Sequence, residues 1–204
     1  VLSSNLLMSY FLLEMLTLST YLLVGFWYAQ PLVVTAARDA FLTKRVGDVL
    51  LLMGVVALSA WAGGMDFNHL YEWAASGSLS PLAATLLGLG LIAGPTGKCA
   101  QFPMHLWLDE AMESPLPSTV LRNSVVVVGG AWVLLRLEPL IELSPLVQAV
   151  LVAVGGTTAV VASLIALAQV DVKRALSFLV SSWLGLLFVA VGLGGTAVAD
   201  HLLL

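Results

Sequence analysis

Residues 82–108 read LAATLLGLGLIAGPTGKCAQFPMHLWL, an apolar run with a single lysine, Lys98, between two proline-bearing stretches, Gly94-Pro95-Thr96-Gly97 and Phe102-Pro103-Met104. About 20 predominantly apolar residues cross a bilayer as a helix, so the run is long enough to span one. Proline removes a backbone donor and clashes with the preceding turn. The expectation is a broken helix whose freed backbone groups are satisfied by surrounding protein or water. Interrupted spans of this kind often line ion or substrate paths.

The flanking sequence has the same character. The 204 residues are 60% hydrophobic and 10% charged, with a mean hydropathy of +1.02, whereas soluble domains carry about 25% charged residues. The chain therefore reads as all-α, a polytopic transmembrane helix bundle of about six helices, at 5–30, 46–64, 82–108, 117–142, 146–168 and 174–196, the third of them broken. Polar connections fall at 38–48, 66–80, 109–117, 144–145 and 169–174, and no β-barrel alternation is present. Arg38, Lys44 and Arg45 in the first connection and Lys173 and Arg174 in the last place both on the cytoplasmic side. Val1 is not an initiator, no basic stretch precedes the first apolar run, and His201 to Leu204 stop without a helix-ending signal, so residues 1–204 read as an internal fragment of one membrane domain.

Other function classes fall away on composition. A net charge of −4, from 8 basic and 12 acidic residues, supports no nucleic-acid footprint. Cys99 is the only cysteine and has no partners at metal-ligand spacing, so neither a disulfide nor a metal site is expected. Nothing in the chain suits a flavin, haem or iron–sulfur cluster, and no cofactor-binding residue is expected. The pairs Gly129-Gly130 and Gly155-Gly156 and the stretch 192–195 read as close helix contacts.

Charges inside spans are costly and usually functional. Glu14 lies about 12 Å of helix rise inside the first span, near the midplane, beyond the reach of its short side chain to water. Lys98 lies about 16 Å of rise from Asp109, and snorkelling recovers only about 6 Å of that. Burial lowers a lysine's proton affinity and a carboxylate raises it, so Lys98 with a movable partner, here expected to be Glu14, can load and release a proton. Lys98, Gln101 and His105 follow at i, i+3 and i+7, one helix face along which waters could queue towards Asp109. Ser124 would support the same waters. Arg122 and Asn123 open the fourth span just after Asp109, Glu110 and Glu113, which suggests a carboxylate–arginine cluster at the membrane edge. Asp171 begins the last span as a helix-start acid, with Lys173 a possible supporting partner.

The run Gly97-Lys98-Cys99-Ala100-Gln101-Phe102-Pro103-Met104-His105-Leu106-Trp107-Leu108, followed by Ala111-Met112-Glu113 and Pro115-Leu116-Pro117, resembles the signature of the antiporter-like subunits of complex I and its photosynthetic relative. Ser19 to Trp27 (STYLLVGFW), Phe41 to Asp48 (FLTKRVGD) and Ala168 to Leu176 (AQVDVKRAL) look like that family's other hallmark stretches, in the same order. The resemblance implies an inverted-repeat, antiporter-like fold that moves protons. It assigns Glu14 and Lys98 to a paired Glu/Lys unit and His201 to a histidine of a later relay. It further implies neighbouring antiporter-like membrane subunits, with iron–sulfur clusters and plastoquinone held by other subunits.

Two departures narrow this. Where most members read Leu-Ile-His-Ala-Ala-Thr, the chain reads Leu121-Arg122-Asn123-Ser124-Val125-Val126, and the preceding connection opens Leu108-Asp109-Glu110 in place of Leu-Pro-Asp or similar. In these respects it is similar to the cyanobacterial variant serving the CO2-uptake form of the thylakoid complex, in which a soluble zinc-bearing partner hydrates CO2. Arg122, Asp109, Glu110 and Glu113 are then the candidate residues of that variant. Two other readings stand beside it: an ordinary proton pump or cation/proton antiporter subunit without a CO2 role, and a non-transporting membrane anchor for a soluble enzyme.

Overall fold

The computed structural model describes residues 3–77 and 79–203. Helix α1 (Leu6–Val24) starts where the Asn5 side chain accepts the N–H groups of Leu7 and Met8 at 2.9 and 3.3 Å, two of the donors that a helix start leaves without partners. A 3-10 turn at Gly25–Trp27 leads to α2 (Pro31–Ala62). This helix has Pro31 at its first position and stops at Gly63, whose φ of 71° is the left-handed conformation that glycine adopts without strain.

The first correction concerns α2. The 38–48 segment was expected to be a polar connection, yet it lies within this continuous 32-residue helix. No helix breaker of the proline kind interrupts it, and Ala37, Ala40, Lys44, Asp48, Leu51, Val55 and Leu58 are all buried. Their three- and four-residue spacing forms one inward stripe. Lys44 and Asp48 are packed, not solvated, and Arg45 is half-buried against Glu14, so Lys44 and Arg45 are not loop cations that orient the chain.

The 66–80 connection likewise contains a short helix, α3 (Phe67–Ala75), anchored where the Tyr71 hydroxyl donates to the Arg136 carbonyl at 3.0 Å. Then follow α4 (Pro81–Lys98), α5 (Leu106–Glu110), α6 (Leu116–Leu121), a π-helical segment at Arg122–Val126, α7 (Val127–Arg136), α8 (Glu138–Ile141), α9 (Pro145–Ala168), α10 (Val172–Gly192) and α11 (Thr196–Leu203). Among the described residues four stretches, Leu6–Trp27, Leu116–Arg136, Pro145–Ala168 and Val172–Gly192, are long and apolar enough to cross a membrane. Met15, Leu22, Leu164 and Leu167 stand exposed on such helices, the surface expected where lipid is the solvent.

Helix α4 packs against α2, α7 and α9 and so sits at the centre of the bundle. Small residues permit this: a Cβ on Gly130 of α7 would come within 2.9 Å of both Cys99 Sγ and Lys98 Cβ. The closest crossing joins α9 to α10, where a Cβ on Gly155 would lie 2.5 Å from the Gly185 carbonyl oxygen. Dispersion and close backbone approach hold helices together in lipid, which is as apolar as leucine.

Candidate functional site

The central helix breaks later than its prolines suggest. It continues through Pro95 and ends at Lys98. Ala100 then adopts φ 50°, the Gln101 N–H bonds to the Thr96 carbonyl at 3.0 Å and the Ala100 N–H to that of Gly97 at 3.4 Å. This is a Schellman ending, with alanine in the left-handed position usually taken by glycine. A cis Phe102–Pro103 peptide follows.

Protein, rather than lipid, satisfies the exposed backbone of the break. Gln101, fully buried, donates through Nε2 to the carbonyls of Cys99 at 3.0 Å and Ser181 at 3.2 Å. The Ser181 hydroxyl donates to the Ala100 carbonyl at 2.9 Å, Thr158 accepts from the Phe102 N–H at 2.8 Å, and Trp107 Nε1 donates to the Gly97 carbonyl at 2.8 Å. Helices α9 and α10 thus supply the partners that a continuous helix would have supplied.

Lys98 is 1% exposed, and its ammonium meets Asp48 of α2, Nζ to Oδ1, at 2.5 Å. It also donates to Thr17 Oγ1 of α1 at 2.9 Å, and that hydroxyl lies 3.2 Å from Asp48 Oδ2. The expected Glu14–Lys98 pair is not formed. Glu14 is held by Arg45 of α2, and its Oε1 is buried without a hydrogen-bond partner. Glu14 and Thr17 are one turn apart on α1, as Arg45 and Asp48 are on α2, so two ion pairs stack side by side between these helices. Asp48 escaped the sequence reading because five charges in eleven residues resembled a loop. The signal that would have found it is the i, i+4 spacing of Lys44 and Asp48 in a stretch without a breaker.

The other expected residues separate into groups. The Lys98, Gln101, His105 face does not form, because the helix ends between the first two. His105 stacks on Phe102 with ring centroids 5.4 Å apart, and its Nδ1 is buried without a partner. Arg122 is buried, but its partners are not the acidic residues before it. Nη1 donates to the Ala111 carbonyl at 2.7 Å and Nη2 reaches Met112 Sδ at 3.4 Å and Ser177 Oγ at 3.5 Å. The carboxylate–arginine cluster belongs instead to Arg174, at 3.4 Å from Asp109 and 3.8 Å from Glu113. Glu110, in the same connection, is raised above the usual carboxylate range by partial burial and then by the negative charges of Asp39 and Asp109.

Asn123 donates through Nδ2 to Ser177 Oγ at 3.1 Å, and Lys173 Nζ donates to the carbonyls of Met112 at 2.5 Å and Ser114 at 3.0 Å. Asn123, Ser124 and Lys173 line one apolar groove of about 890 Å³ between α6–α7 and α10–α11. Ser124 is exposed and bonds only within its own helix, to the Val120 carbonyl. His201 is exposed on α11.

Residues 3–204 match a family model described as NADH:quinone oxidoreductase/Mrp antiporter, TM. The chain belongs to this family. It is 68% identical over 199 residues to NAD(P)H-quinone oxidoreductase subunit 5, organellar chromatophore 2, of Paulinella chromatophora, covering 98% of this chain and 32% of that protein. It is 37% identical over 204 residues to the chloroplastic NAD(P)H-quinone oxidoreductase subunit 5 of Poa pratensis, covering 98% of this chain and 29% of that one. Among solved structures, a chain of the Mrp complex from Dietzia sp. DQ12-45-1b superposes with a TM-score of 0.86 at 26% identity, over 95% of this chain and 21% of the other. The chain spans about a third of the length of the curated relatives it matches.

Membership of the NADH:quinone oxidoreductase/Mrp antiporter family gives the break a setting. In this chain the antiporter-like fold holds the Lys98–Asp48 pair at the end of an interrupted helix, buried between α1, α2 and α4.

Proposed function

We propose that this chain is part of the proton-translocating core of the distal membrane subunit of a photosynthetic complex I in a cyanobacterial thylakoid membrane. There it moves protons as quinone reduction proceeds in other subunits. The single observation that carries this reading is the buried Lys98–Asp48 pair, bridged by Thr17 and flanked by Glu14 and Arg45. An ion pair so enclosed is costly to keep and costly to break from one side. A protein gains from it when the two states of the pair bind a proton differently.

The chemistry needs only these side chains. While Asp48 accepts from Lys98, the lysine keeps its proton. When Asp48 turns away, desolvation favours the neutral amine and the proton leaves. Moving one charge through 100 mV takes about 2.3 kcal/mol, comparable with a shift of roughly 1.7 pKa units. Making and breaking one contact in a dry interior is of that order. Plastoquinone and iron–sulfur clusters would be held by other subunits, and neighbouring antiporter-like membrane subunits would be this chain's partners.

The finer reading is that the complex is the CO2-uptake form, with a soluble zinc-bearing partner that hydrates CO2. It rests on Arg122 and Asn123 standing where the family signature has a histidine. The alternative is an ordinary proton pump or cation/proton antiporter subunit, favoured by the Mrp likeness. Purifying the complex through a tag on the full-length protein, with protein identification, zinc analysis and a CO2-hydration assay, separates them. Proton uptake by sealed vesicles carrying the Lys98→Ala complex tests the coarser reading: unchanged uptake would sink it and leave a membrane anchor.

A further inference from the structure

A second lysine lies as deep as Lys98. Lys44 on α2 is 2% exposed, and its ammonium rests 3.8 Å from the centroid of the Trp107 ring. Trp107 is itself fully buried and tied by its indole N–H to the carbonyl of Gly97, the residue before Lys98. Among the described residues Lys44 Nζ makes no hydrogen bond and no ion pair. An ammonium is otherwise an obligate donor of three hydrogen bonds. The face of an indole attracts a cation, more so when water is excluded, but it accepts no proton and completes no charge pair.

Lys44 is also one helical turn before Asp48, so both side chains project from the same face of α2. Burial is the strongest influence on it, followed by the charges of Lys98, Arg122 and Asp48. On its own helix Arg45 is engaged by Glu14 of α1, while Asp109, Glu110 and Glu113 lie in the connection that carries α5 across α2. Among the described residues Asp48 is the carboxylate that contacts Lys98 and shares a face of α2 with Lys44.

We propose that Lys44 is the counter-cation that sets how firmly Lys98 holds its proton, competing with it for Asp48 and resting on Trp107 while Asp48 belongs to Lys98. Transfer of Asp48 from Lys98 to Lys44 leaves Lys98 without its counter-anion in a dry interior, which lowers its affinity for a proton. Its return restores the affinity. Lys44 is in these terms a positioning residue, acting through Asp48, and the proposal rests on the proton-translocating reading above.

The test is proton uptake by sealed vesicles carrying the intact complex, measured across pH for Lys44→Met, Lys44→Arg and Lys98→Ala. Removing the competing cation should strengthen the Lys98–Asp48 pair. Lys44→Met is expected to slow uptake several-fold near neutral pH and to move the profile about one pH unit upward, because release from Lys98 then needs a more alkaline medium. Lys44→Arg, which keeps the charge, is expected to keep the wild-type profile. A wild-type profile in an assembled Lys44→Met complex overturns the proposal. If that variant does not assemble, a displaced profile in Lys44→Arg overturns it and an unmoved one supports it. Unchanged uptake in Lys98→Ala would instead defeat the proton-translocating reading, a different result from either Lys44 outcome.

Discussion

Lys98 and Asp48, 50 residues apart in sequence, meet at 2.5 Å in the interior, with Thr17 from a third helix touching both. Removing one member strands a buried charge, which costs about 3–5 kcal/mol, whereas replacing both with apolar groups is far less damaging. Lys98→Met and Asp48→Leu should each lower the unfolding temperature of the purified complex, and the double variant should recover much of the loss. Proton uptake should stay absent in all three. Additive losses in the double variant would show that the two side chains do not depend on each other.

The α9–α10 crossing offers an internally controlled pair. Gly155→Ala places a methyl group 2.5 Å from the Gly185 carbonyl oxygen, while Gly156→Ala meets nothing nearer than Val189 at 3.9 Å. Overpacking of this kind costs about 1–3 kcal/mol. Thermal unfolding of the complex should fall for Gly155→Ala and stay unchanged for its neighbour.

Arg122 ties the segment around Ala111 and Met112 to α10 by way of Ser177. Lysine has no planar fork with which to reach carbonyl, sulfur and hydroxyl at once. Arg122→Lys should therefore loosen this segment, seen as faster backbone hydrogen exchange at 111–114, and Arg122→Ala should do so more. Under the CO2-uptake reading the alanine variant also loses CO2 uptake. Wild-type uptake in it would remove the residue from that role.

Glu110 gives a pH signature. Its proton affinity is raised in the folded state, so protonation favours folding there. The contribution is present below the unfolded carboxylate range, near pH 4.3, and is lost as pH rises through the higher folded value. Unfolding temperature measured between pH 4 and 7 should decline less steeply for Glu110→Gln than for the wild type. Identical slopes would mean that neither burial nor the charges of Asp39 and Asp109 raise this carboxyl in the folded state.

Most of the bundle was legible because long apolar runs and their caps are local signals. Asp171 stands at a helix start, and the glycines at 130, 155 and 192 sit at close helix contacts, both as the sequence indicates. The depth of Glu14 and Lys98 was legible for the same reason. Their partners were not. Pairing across helices is set by how α1, α2 and α4 rotate against one another, and hydropathy says nothing of rotation. A dense cluster of charges also looks alike in a loop and on one packed face, which is why Lys44 and Asp48 were assigned to solvent. Arg122 was singled out correctly as unusual, but its carbonyl, thioether and hydroxyl partners carry no charge pattern that a sequence could display.

The π-helical segment at Arg122–Val126 bears on how the bundle could have been assembled. A π turn is in effect one residue inserted into an α-helix. Deleting one residue there would restore ordinary winding with α7 still in phase with α6, whereas winding all five residues as ordinary α-helix would turn α7 by about 100° relative to α6. Gly130 would then swing away from Cys99 and Lys98, and a bulkier neighbour would meet the broken helix in its place. The inward aim of Arg122 and the close seat of the central lysine thus share a common phase that the π turn keeps, so a further one-residue insertion between 122 and 126 should be far less tolerated than a one-residue deletion.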